Sequence, residues 1–171
     1  NAVRLDIRDE AANSLVAFAP EPLSRVFFVN SGAEANENAL RIALKSTGRK
    51  KIIAVEHSFH GRTAGAAAVT WGAKESWYGF PYDPFEVAFV PRNDINALNT
   101  MVDQDSAALI IEPIQGVAGA FNFEPGFLDA ARTACDNSGA LLILDEVQTG
   151  VGRLGTPFGA DLYGLSADIL T

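Results

Sequence analysis

Residues 141–153 read LLILDEVQTGVGR, four large apolar residues running straight into Asp145 and Glu146. A buried strand that ends in two acids calls for a positive partner. Three readings suit the pattern: a magnesium ion on a nucleotide, a cationic ring or ammonium group of an organic cofactor, or no ligand, with Asp145 capping a turn. The nucleotide reading needs a phosphate loop of the form GxxxxGK[ST], and no such stretch occurs in the sequence. A phosphate site of another kind is available at Ser31-Gly32-Ala33, where a helix start would offer free amides, a hydroxyl and the positive end of its dipole. Ser31 serves equally well as a plain helix cap, and the residues alone leave both open.

His57 and His60, with Glu56 beside them, are too few firm ligands for a metal site, and none is expected. Phe59 between them could cover a flat ring or simply fill core. Arg62 is placed to meet an anion such as a substrate carboxylate, or to sit on the surface.

The elements that must position these groups follow from the apolar pattern. Ile7, Ala11, Leu15 and Phe18 share one face of a helix over residues 6–18, stopped by Pro20 and Pro22. Arg25–Val29 reads as a short strand. Ser31 with Glu34 three residues on forms a capping-box signature for a helix whose buried stripe is Ala35, Ala39, Leu40 and Ala43. Glu37 and Arg41 pair on its outside, and Gly48 ends it. Strands are predicted at Lys51–Val55, Glu86–Val90, Ala107–Ile111 and Ala140–Leu144, with another beginning at Ile169. Helices are predicted over Asp94–Val102 and Pro125–Ser138. EPIQGVAG (112–119) reads as loop, Trp71–Pro84 as one long irregular excursion, and Arg49-Lys50-Lys51 as a solvated turn. Continuously apolar strands alternating with helices indicate an α/β fold, a mostly parallel sheet covered on both faces. In such sheets ligands sit beyond the carboxyl ends of the strands, where Asn30–Gly32, Glu56–Gly61, Glu112 and Asp145 all fall.

The 171 residues suffice for one sizeable core. A net charge of -8 argues against nucleic acid as a partner. One cysteine, Cys135, excludes an internal disulfide framework, reads as a small buried filler and suits a reducing, cytoplasmic compartment. No apolar run is long enough to span a membrane, and no membrane partner is expected. The sequence opens at Asn1 and stops at Thr171 within Asp168-Ile169-Leu170-Thr171, so both ends are expected to be cuts in a longer protein.

Taken together, FFVNSGAEANENAL, HSFHGRT, IIEPIQG and LLILDEVQTGVGRLG, followed by Asp168–Thr171, resemble the class III pyridoxal-phosphate aminotransferases. The likeness is nearest to acetylornithine- and ornithine-type members and covers nearly the whole chain. It implies part of the large domain of a fold-type I transferase, with residues 1–22 a leading helix and turn, and pyridoxal 5'-phosphate as cofactor. Ser31, Gly32 and Ala33 would then cradle the cofactor phosphate and Phe59 would stack on the pyridine ring. Asp145 would pair with the ring nitrogen, Gln148 would reach the ring's phenolic oxygen, and Arg62 would bind the substrate carboxylate, with Glu112 close to cofactor and substrate. The resemblance also implies amino-acid and 2-oxo-acid substrates and a homodimer in the full-length protein.

Two departures from the family pattern stand out. Many members read EPIQGEGG where this chain reads EPIQGVAG, so Val117 replaces a glutamate that helps such sites accept both a diacid and a diamino substrate. The family's Schiff-base lysine falls three residues beyond Thr171, and Lys45, Lys50, Lys51 and Lys74 match no such position. The isolated chain is therefore expected to bind cofactor weakly if at all and not to turn over, the small domain and the lysine segment lying outside it. The other reading is a non-catalytic α/β module that binds or assembles.

Overall fold

The computed structural model describes residues 3–76 and 79–171. Five parallel strands form the central sheet: β1 (Lys51–Val55), β2 (Glu86–Val90), β3 (Ser106–Ile111), β6 (Leu141–Leu144) and β7 (Ile169–Leu170), in the order β2-β1-β3-β6-β7. Side chains alternate along each strand, so both faces are apolar. On one face Ile53, Val55, Leu109, Ile111, Leu142 and Leu144 pack with α5 (Ile95–Met101) and α6 (Phe127–Ser138). On the other, Ile52, Ala54, Ala108, Ile110 and Ile143 meet Ala39, Leu40 and Ala43 of α2 (Gly32–Thr47). Each fully buried Ile or Leu contributes roughly 1.5–3 kcal/mol relative to exposure, and all six residues of β3 are buried. The α/β sheet expected from the continuous apolar runs is the one observed.

Several expectations need correction. Arg25–Val29 is extended but joins no strand: Phe27 is 70% exposed and the segment has no ladder partner among the described residues. Apolar β-formers alone do not make a strand when no neighbour supplies the hydrogen bonds. The helix over 6–18 is present as α1 (Asp6–Phe18), with acids in its first turn, but it contains no buried residue. The Ile7 face is open, and Phe18 touches the body of the fold through a tilted contact with Phe158 at 5.4 Å. EPIQGVAG is not all loop, because β4 (Ile114–Gln115) pairs antiparallel with β5 (Phe121–Asn122). The excursion after Trp71 contains a single helical turn, α4 (Ala73–Ser76), preceded by α3 (Ala64–Ala68). Trp77 and Tyr78, also within that excursion, lie outside the described residues.

The basic turn is not simply solvated. Arg49 donates to Ser106 O (2.7 Å) and Ser138 O (3.0 Å), tying the start of β3 to the end of α6. Lys51 pairs with Asp103 at 2.5 Å. Lys50 alone of the three is exposed.

α2 begins and ends as its caps dictate. Ser31 Oγ accepts the Glu34 amide (3.2 Å), and Gly48 closes the helix at φ 70°, where glycine avoids a side-chain clash. The capping box is displaced by one residue: Glu34 Oε2 accepts from the backbone and side chain of Asn30, not from Ser31 N–H. Its buried stripe is Asn36, Ala39, Leu40 and Ala43, with a polar residue where Ala35 was expected. Glu37 pairs with Arg41 (3.1 Å) but also turns inward, accepting from Thr63 Oγ1 (2.8 Å) and Gly65 N (2.7 Å) at the start of α3.

Candidate active site at the carboxyl edge of the sheet

Register places the acids side by side. Ile111 lies opposite Leu144, so Glu112 and Asp145 emerge together from adjacent strands. Asp145 N–H donates to Ile111 O (2.9 Å), and Glu146 N–H to Thr171 O (2.9 Å), continuing the ladder to the edge. Both acids are buried, at 3% and 4% exposure. Buried charge needs partners, and each acid has a different set.

Glu112 is held by amides. Oε1 accepts from Phe59 N (2.9 Å) and Oε2 from Gly116 N (3.0 Å). Burial pushes its carboxyl pKa up, against the opposing pull of His60 and these two amides, and the nearby Asp145 adds to the rise. Glu112 therefore locks the loop after β1 to the loop after β3.

Asp145 is held by side chains. Its Oδ2 takes Asn36 Nδ2 (2.7 Å) and His60 Nδ1 (2.7 Å), while among the described residues Oδ1 accepts only the Val147 amide (3.1 Å). Asn36 also donates to His60 O (2.8 Å) and accepts from Thr171 Oγ1 (2.7 Å), which fixes its amide orientation. One carboxylate oxygen is thus saturated by protein and the other retains acceptor capacity. His60 is fully buried and its Nε2 has no partner among the described residues. His57, by contrast, is exposed. The two histidines therefore face different surroundings and do not act as a pair.

The helix start is brought to these acids by close packing. A Cβ on Gly61, at φ 128°, would lie 2.5 Å from Ala33 Cβ, and a Cβ on Gly32 would lie 2.6 Å from a Val147 methyl. Any larger residue would push the first turn of α2 away from the loops after β1 and β6. The first-turn amides have no carbonyl one turn earlier to accept them, so Ser31, Gly32 and Ala33 can meet an anion there. Gln148 is exposed and its side chain passes over Gly116. Phe59 is half-buried, with the exposed Arg62 guanidinium 5.7 Å above its ring.

Ser31–Ala33, Phe59, Arg62, Glu112, Asp145 and Gln148 are therefore all found at one edge. Sequence reasoning missed Asn36 and His60, which orient Asp145. It also found no part for Glu146. That residue accepts from Gly159 N (2.6 Å), Ala160 N (2.6 Å) and Thr149 Oγ1 (2.7 Å), anchoring α7 (Gly159–Tyr163) beneath the site.

Two cavities open at this edge. One of about 600 Å³ is bounded by Glu146, Val147, Gln148 and Thr171, among others. A second of about 200 Å³ lies beside Phe59, walled by Trp71, Val117 and Ala118, with His57 and Arg92 as its charged or ionisable members. The donor set fits pyridoxal phosphate: free amides and a hydroxyl for a phosphate, an aromatic face for a ring, and an oriented carboxylate with one oxygen available for a ring nitrogen. The described residues contain no helix long and apolar enough to cross a membrane.

The aminotransferase class-III family matches residues 1–171. Acetylornithine aminotransferase of Methanosarcina acetivorans is 44% identical over 174 residues, covering 100% of this chain and 43% of the relative. The [LysW]-aminoadipate semialdehyde/glutamate semialdehyde transaminase of Sulfurisphaera tokodaii is 44% identical over 167 residues, 96% of this chain and 42% of its own. A crystal structure of ornithine aminotransferase from Toxoplasma gondii ME49 superposes with a TM-score of 0.88 at 31% identity, over 99% of this chain and 42% of that one. A further structure of the Toxoplasma enzyme is described with partial occupancy of PLP at its active site. The chain thus spans about 43% of the length of the curated relatives it matches.

Proposed function

The chain belongs to the class-III aminotransferases, whose cofactor is pyridoxal 5'-phosphate, and from that premise we propose that it is the cofactor-binding part of a large domain. The protein it represents transfers an amino group from an amino acid of the acetylornithine or ornithine type to a 2-oxo acid. The cofactor, when bound, supplies an electron-accepting ring that stabilises charge on the substrate carbon. Ser31, Gly32 and Ala33 hold its phosphate, Phe59 covers one ring face and Gln148 meets the phenolic oxygen. Asp145 accepts a hydrogen bond from the protonated ring nitrogen through Oδ1, a charge-assisted contact worth roughly 1.5–3 kcal/mol. Arg62 binds a substrate carboxylate, and Glu112 keeps Phe59 in place from behind. In the full-length protein two such subunits form a homodimer.

The observation that carries this reading is the asymmetry of Asp145. Asn36 and His60 fill Oδ2 and fix the plane of the carboxylate, and Asn36 belongs to the same helix whose first turn offers the phosphate site. The helix that offers the proposed phosphate site therefore also orients Asp145.

The isolated 171-residue chain holds the cofactor without a covalent bond and does not turn over. Lys45 lies in the last turn of α2 and Lys51 at the amino end of β1, with Lys50 before it. Lys74 is bound to Asp83 (2.7 Å), and no lysine lines either cavity. Equilibrium dialysis against pyridoxal phosphate, with borohydride reduction followed by mass measurement, tests this. Saturable binding that Asp145→Asn weakens, with no mass gain on reduction, is expected. Absence of binding, or robust amino transfer by this chain, would overturn the reading.

A further inference from the structure

Arg92, a cation that lines the cavity beside Phe59, has unfilled hydrogen-bonding capacity among the described residues. Arg92 lies two residues past the end of β2, at the same edge as Glu112 and Asp145. Its Nε donates to Gln115 Oε1 (2.5 Å), Gln115 Nε2 is anchored on Glu56 O (3.0 Å), and the guanidinium lies 4.1 Å over the Phe121 ring. These three contacts fix the plane of the group. Its Nη2 is nonetheless buried with no acceptor among the described residues. Burial works against the charge of Arg92, while Glu112 and Glu56 favour it. Neither acid forms an ion pair with it among the described residues. Both Glu112 oxygens are taken by the amides of Phe59 and Gly116. No carboxylate lines the cavity, and Val117, 53% exposed, contributes only methyl groups.

Resting on the aminotransferase reading above, we propose that Arg92 reads the end of the substrate remote from its reacting amine. It accepts an end whose nitrogen is acylated, through the acyl oxygen, and refuses one whose nitrogen is a free ammonium group. Arginine has donors only, so an oxygen acceptor satisfies it. An ammonium group placed against it finds no carboxylate in the lining and meets like charge in a partly desolvated space. N-acetylornithine and ornithine separate these cases, because they share a skeleton and differ in whether the remote nitrogen is acylated or charged.

The chain has two tryptophans, and Trp71 lines the cavity. Replacing Trp77 with Phe leaves Trp71 as the single reporter for titration with each compound, pyridoxal phosphate being held constant and its own binding followed separately by dialysis. N-acetylornithine is expected to bind about tenfold or more tightly than ornithine, the size of one hydrogen bond to a charged donor. Arg92→Met should bring the two within about threefold, with Arg92→Lys intermediate because it keeps charge but loses the fork. Val117→Glu should strengthen ornithine binding. Equal affinities in the unmodified chain, or a ratio unmoved by Arg92→Met in a variant that still binds cofactor, would overturn the role of Arg92. Loss of cofactor binding in the unmodified chain would instead overturn the reading on which it rests. Failure of both compounds to bind while the cofactor does bind counts against Arg92 alone.

Discussion

The two edges of the sheet carry similar residues and use them differently. At the amino edge Arg49 bonds two carbonyls, Lys51 pairs with Asp103, and Arg132 holds Ser166 O, Asp168 and Asp136. Apart from Arg132 Nε, the buried donors of these cations have partners. At the carboxyl edge, among the described residues, Asp145 has a half-used carboxylate, His60 an idle Nε2 and Arg92 an idle Nη2. Buried polar groups left short of partners are costly. Their concentration at one edge, beside two cavities, separates a place built to receive something from one built to hold itself together.

The sharpest break of this contrast comes from Asp145→Ala. It should remove the ring-nitrogen contact and strand Asn36 and His60, destabilising the fold by about 2–4 kcal/mol and weakening pyridoxal phosphate binding at least tenfold. Dialysis and chemical denaturation would report the two effects separately. Arg49→Ala is the control at the other edge. A stability loss of about 1–3 kcal/mol is expected, with cofactor affinity unchanged. A tenfold drop in affinity would erase the distinction between the edges.

Smaller effects sharpen it. Burial opposes ionisation of Glu37, yet Thr63, the amides of Gly65 and Ala66, and Arg41 outweigh it and lower the pKa. A lowered carboxyl pKa stabilises the fold above the unfolded-state value and loses that contribution as pH falls through the folded-state value. Denaturation of Glu37→Gln should accordingly show less acid-side loss than the parent between neutral pH and pH 3. Smallest is Cys135, whose thiol burial pushes up to about 12. At pH 8 the folded chain should resist alkylation while the unfolded chain reacts, as mass spectrometry would detect.

What the sequence disclosed follows the same division. KIIAV, SAALII and LLIL were readable because strands buried on both faces must be continuously apolar. The residues just past them were readable because strand ends in such sheets are where ligands sit. RVFFV misled because apolar content does not reveal whether a ladder partner exists. Asn36 was overlooked among the charged neighbours of α2, although its spacing to Ala39, Leu40 and Ala43 puts it in phase with the buried stripe. A polar residue on that stripe was the available signal. His60 gave none, since its value comes from Asp145, 85 positions away. The short β4–β5 pairing was equally hidden, two residues per strand being too few for any pattern.

In the proposed site Asp145 keeps the cofactor's ring nitrogen protonated. The ¹⁵N resonance of ring-labelled pyridoxal phosphate bound to this chain tests it directly, recorded at a pH where the free ring has lost its proton. A protonated nitrogen is expected in the unmodified chain and a deprotonated one in Asp145→Asn. The same resonance position in both would contradict it.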